Sequence, residues 1–157
     1  MTQAEFNARI VAMQDTLYRV STTILPQLCD REDAVQGAIE KAIRKRHTLR
    51  KDNALEAWLT RILINECYSL LRRRKRELLF DDVPEREVAE DANPDLYQLF
   101  TSLEETYRLP MVLHYVEGYT VDEICRMLRM PKSTLKSRLY RGKQLLRKAL
   151  EKEEVFL

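Results

Sequence analysis

Positions 131–150 read PKSTLKSRLYRGKQLLRKAL, with seven Lys or Arg residues and no Asp or Glu. The same stretch carries Leu135, Leu139, Leu146 and Leu150. At about 100° per residue on a helical wheel, the last three fall within about 60° of Leu135. Ser133, Lys136, Ser137, Tyr140, Arg141 and Gln144 fall on the opposite side. One face is suited to packing on a protein core. The other presents cations for phosphate oxygens, together with hydroxyls, an amide and a phenol that can hydrogen-bond base edges. Such a helix has the chemistry to lie in a DNA groove, whereas a merely solvated face would not need to exclude acids so completely.

Charge along the chain agrees. The 157 residues sum to only +2, but the charge is segregated. Residues 1–40 hold 3 basic and 6 acidic residues, 41–76 hold 12 and 3, 77–106 hold 1 and 10, and 107–157 hold 11 and 6. The blocks therefore run −3, +9, −9 and +5. Two basic blocks divided by an acidic one point to two modules that each face a polyanion.

Other chemistries find no comparable grouping. His47 and His114 lie in different modules and bracket no metal-ligand spacing, so neither a metal nor another cofactor is expected. No Gly-rich phosphate loop is present, and the carboxylates gather in the acidic block, so catalysis and a small-molecule substrate are not expected. Cys29, Cys67 and Cys125 are odd in number, far apart and outside any C-x-x-C pair. They read as small buried side chains in a reducing compartment. The longest apolar runs, such as AWL and ILI, are far short of the ~20 residues of a membrane helix. The start, MTQAEFNARIV, lacks the pattern of a signal peptide. A cytoplasmic protein without direct membrane insertion is expected.

Helices must position these faces. Three glycines and five prolines punctuate the chain and strand-like alternation is scarce, which predicts an all-α fold. Phe6, Ile10, Met13, Leu17 and Val20 recur at helical spacing and predict a first helix that ends near Pro26. Asp30 reads as the cap of a second helix, with Asp33 in capping-box position and Val35, Ile39 and Ile43 as its apolar stripe. Asn53 reads as the cap of a third helix that carries Leu55, Trp58, Leu59, Ile62, Leu63, Tyr68 and Leu71 into RRRKR at 72–76. Residues 77–94 read as an acidic linker. Beyond it, YRLPMVLHYVEGY predicts a helix stopped by Gly118, and Thr120 with Glu123 forms a capping box for VDEICRML. After RMP comes the basic helix. Two helices joined by a three-to-four-residue break, the second basic, make a helix-turn-helix pattern.

With those residues in view, YRLPMVLHYVEGYTVDEICRMLRMPKSTLKSRLYRGKQLLRKAL resembles region 4 of the extracytoplasmic-function (ECF) sigma factors of bacterial RNA polymerase. DREDAVQGAIEKAI and AWLTRILINECYSLLRRRKR are similar to region 2 of the same family. The two likenesses follow in the family's order and together cover nearly the whole chain. They imply two small helical modules, a region 2 three-helix bundle at 1–76 and a region 4 helix-turn-helix at 95–157, joined by the linker. Gly37 departs from the family's usual Glu, and Arg129 and Ser133 stand in place of two glycines. The turn accommodates Arg129 only where its backbone stays out of strongly positive φ.

The resemblance implies a promoter-specificity subunit that binds core RNA polymerase and promoter DNA, with an anti-sigma factor as a further partner. Lys132, Ser133, Thr134, Lys136, Ser137, Arg138, Tyr140 and Arg141 would engage the −35 element. Trp58, Arg61, Asn65, Arg72, Arg73 and Arg74 would engage the −10 element, where opened DNA needs cations for its backbone and groups that meet an unstacked base. Trp58 can equally be core, and Asn65 can be either a satisfied buried amide or an outward base reader. Asp33, Gln36 and Glu40 match or neighbour the family's clamp-binding stretch, and Asp33 can serve as a cap as well. Two other readings stay open: a free-standing helix-turn-helix regulator, and a sigma-like interaction protein that does not read DNA.

Overall fold

The computed structural model describes residues 1–77 and 99–155, all of whose regular elements are helical. The chain divides into two compact units, with the boundary at Val88–Ala89. Most of the expected linker therefore lies outside the described residues, while Glu77 belongs to the helix before it.

In the first unit, α1 (Gln3–Ala12) and α2 (Gln14–Thr22) replace the single helix expected. The break falls at Met13, whose N–H bonds the Ile10 carbonyl in a tightened turn of 3.0 Å. Phe6, Ile10, Met13, Leu17 and Val20 nonetheless all reach the core, so the periodicity was right and the continuity was not. Thr2 caps α1 through a reciprocal box with Glu5.

α3 (Leu28–Arg44) begins with Gln27 as its extended cap residue. Asp30 is therefore inside the first turn rather than the cap, and it is buried. Beside it Arg31, fully buried, donates from Nε to the Leu25 carbonyl (2.9 Å) and from Nη2 to the Pro26 carbonyl (3.0 Å). A buried guanidinium is tolerated because these carbonyls receive it, and it pins the α2–α3 connection.

The buried face of α3 is Ala34, Ala38 and Ala42, not Val35, Ile39 and Ile43. Val35 and Ile39 are half-buried, and Ile43 is 51% exposed. Small side chains let α3 approach α4 (Leu55–Glu77) closely. At Gly37 a Cβ would sit 3.1 Å from Glu66 Oε2, and the Glu66 carboxylate pairs with Lys41 one turn along. Asn53 lies in a 3₁₀ turn (Asp52–Ala54) ahead of α4.

In the second unit, buried Leu99, Phe100 and Leu103 precede α5 (Glu105–Met111), which runs into a π-helical turn (Val112–Val116). Gly118, at φ +78°, ends it as expected. α6 (Val121–Leu128) carries the predicted capping box, with Thr120 Oγ1 accepting from the Glu123 N–H (3.1 Å) and Glu123 Oε1 accepting from the Thr120 N–H (3.1 Å). α7 (Lys132–Val155) follows after a three-residue turn. It crosses α5 at Gly142, where a Cβ would lie 2.8 Å from Met111 Cγ. Only glycine permits that approach without displacing a buried methionine.

Candidate nucleic-acid interface and docking face

α7 divides as its sequence predicts. Leu135 (0% exposed), Leu139 and Gly142 are buried, Leu146 is half-buried, and Leu150, at 42% exposed, has left the core. Lys132, Ser133, Lys136, Ser137, Tyr140 and Arg141 are exposed, while Thr134 and Arg138 are half-buried at the edge of the stripe. Lys132 lies 3.5 Å from Asp122. Lys136, Arg138 and Arg141 form no ion pair among the described residues. Gln144 Nε2 donates to the Tyr140 hydroxyl (3.1 Å), which ties the two polar side chains together one turn apart. Cations without acidic partners, at the head of a helix set by a capped α6, form a face complementary to a duplex backbone and groove.

The turn that delivers α7 differs from expectation. Arg129 adopts φ 52°, ψ 48°, the left-handed region, so the expected condition on its backbone is not met. A side chain there brings Cβ against the following carbonyl at roughly 1–2 kcal/mol. The helix end requires this geometry, since the N–H groups of Arg129 and Met130 both turn back to the Cys125 carbonyl.

On α4, Asn65 is exposed, which removes the buried-amide alternative. Arg61 and Trp58 are half-buried. The Trp58 ring stands 6.4 Å from that of Phe6, so it packs on the core with one side and keeps an edge outward. Arg72, Arg73, Lys75 and Arg76 are exposed at the end of the helix. Arg74 differs from its neighbours: its Nη2 is 2.9 Å from Asp30 Oδ1 and its Nη1 is 3.1 Å from Glu77 Oε2. These hydrogen bonds, that to Asp30 first, raise its pKa further above an already high value. Ahead of α4, Arg46 stacks its guanidinium 5.1 Å above the Phe6 ring, and Arg9 holds Glu56 at 2.7 Å, so α1 braces the segment that leads into α4.

A third face lies between α2 and α3. Asp33, Gln36 and Glu40 are exposed on one side of α3, with Gln36 Nε2 donating to Glu40 Oε1 (3.4 Å). Gln36 and Glu40, together with Asp15, Tyr18, Val35 and Ile39, line an open groove of about 400 Å³. Ile43 continues its apolar floor by one helical turn. The sequence pattern marks Asp33, Gln36 and Glu40 as polar and Val35, Ile39 and Ile43 as one apolar stripe, but does not show that this stripe lies beside them at the surface. The alanines at 34, 38 and 42 were the available signal. Among the described residues, no His, Cys, Asp and Glu cluster could hold a metal ion, and no helix is long and apolar enough to cross a membrane.

Family models agree with this division. The model described as Sigma-70 region 2 matches residues 10–77, and that of Sigma-70 region 4 matches residues 95–146. The RNA polymerase sigma factor SigV of Bacillus subtilis is 26% identical over 159 residues, spanning 98% of this chain and 96% of that protein. The ECF RNA polymerase sigma factor SigE of Mycolicibacterium smegmatis is 32% identical over 152 residues, spanning 88% of this chain and 58% of that protein. In fold, the chain is similar to the sigma factor RpoE from Bartonella quintana, solved in complex with the anti-sigma factor NepR (TM-score 0.79, 24% identity, 94% of this chain and 97% of that one). The chain belongs to the sigma-70 family of RNA polymerase sigma factors. Within that family it is one of the extracytoplasmic-function group.

Proposed function

We propose that the chain binds core RNA polymerase and directs it to promoters by engaging two DNA elements. It is an RNA polymerase sigma factor, a regulator and not a catalyst. The observation that carries the reading is α7: buried leucines on one side, exposed cations with hydroxyls and a phenol on the other, delivered by a capped α6.

Region 4, residues 95–157, would read the −35 element through Lys136, Ser137, Tyr140 and Arg141, with Lys132, Ser133, Thr134 and Arg138 in support. Region 2, residues 1–76, would hold opened −10 DNA. There Asn65 faces outward as a base reader, Arg61, Arg72 and Arg73 neutralise phosphates, and Trp58 offers its outer edge. Arg74 we assign chiefly to holding α4 against Asp30. The α2–α3 groove lined by Gln36 and Glu40, together with exposed Asp33 on the same helix, would dock core polymerase. Its acidic rim and apolar floor suit a basic, amphipathic helical surface. Residues 77–94 would act as the linker that raises the effective concentration of one module once the other is bound.

A cytoplasmic location follows from these partners, and no cofactor or small-molecule substrate enters the account. An anti-sigma factor as inhibitor is supported by the solved relative crystallised with one. Neither a free-standing regulator nor a sigma-like protein blind to DNA is favoured, because both sigma-70 regions are matched and the basic face of α7 is intact.

The test is transcription of genomic DNA by purified core polymerase with and without the chain, with start sites mapped. The account expects a set of starts that share two upstream elements at fixed spacing. Starts no more selective than those of core alone would overturn it.

A further inference from the structure

Arg129 is the one non-glycine residue with positive φ among the described residues. Glycine takes that conformation without Cβ crowding. Here the chain carries a long cationic side chain in it instead. The backbone bonds to the Cys125 carbonyl set the turn, but the side chain is exposed and forms no hydrogen bond or ion pair with the described residues, so no side-chain contact among them accounts for an arginine here. Non-glycine residues held in this region cluster at sites that contact ligands.

Its position indicates the ligand. Arg129 is three residues ahead of Lys132, the first residue of α7, so at most about 11 Å of chain separates the two. Lys132 is drawn toward Asp122, which leaves Arg129 as the unengaged cation in the turn that leads into the helix. Exposed Ser133, Lys136 and Ser137 occupy the next turns.

We propose that Arg129 contacts a phosphate of the duplex that flanks the −35 element, adding a sequence-independent anchor that a glycine in this turn cannot supply. This rests on the reading of α7 as the −35 helix. A phosphate contact adds affinity equally for all sequences and adds to counterion release, whereas a base contact changes preference at one position.

The experiment measures promoter binding by the full chain assembled with core polymerase, across a salt series and on −35 variants. Arg129→Gly should bind several-fold more weakly on every −35 sequence, and the slope of log K against log salt should become shallower by about 0.9. Arg129→Asn, which tolerates the left-handed turn without the charge, should lose the same slope, and Arg129→Lys should keep it. Arg129→Gly should also melt at a higher temperature than the native chain, so weaker binding cannot be ascribed to misfolding. Wild-type affinity and slope for Arg129→Gly and Arg129→Asn would overturn the proposal, as would a loss confined to polymerase assembly. Lys136→Ala and Arg141→Ala, run alongside, separate the two levels. If they weaken binding while Arg129→Gly does not, the Arg129 contact alone is wrong. If none of the three does, the −35 reading of α7 falls with it.

Discussion

Arg74, within the basic run that ends α4, is ion-paired at 2.9 Å to Asp30 in the first turn of α3, and the Asp30 side chain is only 4% exposed. Of the five cations at 72–76, this one closes the first unit on itself. Arg72 and Arg73, which precede it, face solvent with no such partner among the described residues. Arg74→Ala should therefore lower the melting temperature, because a buried carboxylate loses its guanidinium. Arg72→Ala and Arg73→Ala should leave stability within about 0.5 kcal/mol of the native chain. Each of those two should instead reduce the salt slope of promoter binding by roughly 0.9, with a smaller change for Arg74→Ala. Equal slopes and equal melting temperatures for all three would show that the pair does not distinguish Arg74.

The rotation of α3 makes a prediction about docking. Val35 and Ile39 line the groove with Gln36 and Glu40, and Ile43, exposed, lies one helical turn beyond Ile39, instead of filling the core. Ile43→Ala should leave thermal stability nearly unchanged, since the side chain is already half in water. If a partner covers it, truncation should cost about 1–2 kcal/mol of assembly with core polymerase. Competition against native chain for a limiting amount of core measures this. Undiminished competition by Ile39→Ala and Ile43→Ala would move the docking site elsewhere.

For Asn65 the exposed position makes a clean separation possible. Asn65→Ala should melt within about 0.5 kcal/mol of the native chain. A transcription screen on randomised −10 elements should show relaxed preference at one position. Native preference at every position would remove Asn65 from the set of base readers.

At the α5–α7 crossing, Gly142→Ala places a Cβ where Met111 Cγ and Sδ now lie, at 2.8 and 2.9 Å. Overpacking there should destabilise the second unit by ~1–3 kcal/mol, outweighing the better helix propensity of alanine. Calorimetric melting of the full chain checks it. An unchanged or higher melting temperature would mean that the Met111 side chain moves aside without cost.

Why some of this was legible in the sequence and some was not has physical causes. The two faces of α7 could be read because four leucines share one side of a single helix, and the solvent side needs no partner to be defined. Thr120 with Glu123, and Gly118, act within a few residues of themselves, so their roles were equally plain. α3 offered two stripes one residue apart, Ala34–Ala38–Ala42 and Val35–Ile39–Ile43. Hydrophobicity alone selects the larger side chains, but close approach to α4 selects the smaller. Asp30 looked like a cap because capping is local, whereas its actual partner lies 44 positions away. Arg31 gave no signal at all, since the carbonyls that receive it belong to a connection whose path the sequence does not specify. The cysteines split likewise. Cys67 is buried, and burial, with Glu66 adding to it, pushes its thiol pKa up, whereas Cys29 is exposed and Cys125 half-buried.

The central claim is that α7 reads promoter sequence on behalf of polymerase. The most direct measurement is transcription by core polymerase with native, Lys136→Ala or Arg141→Ala chain, on a promoter library randomised across the −35 element. The account predicts that each variant relaxes preference at one −35 position by about 1–3 kcal/mol and leaves the −10 preference intact. Variants that initiate with the native −35 preference would contradict it.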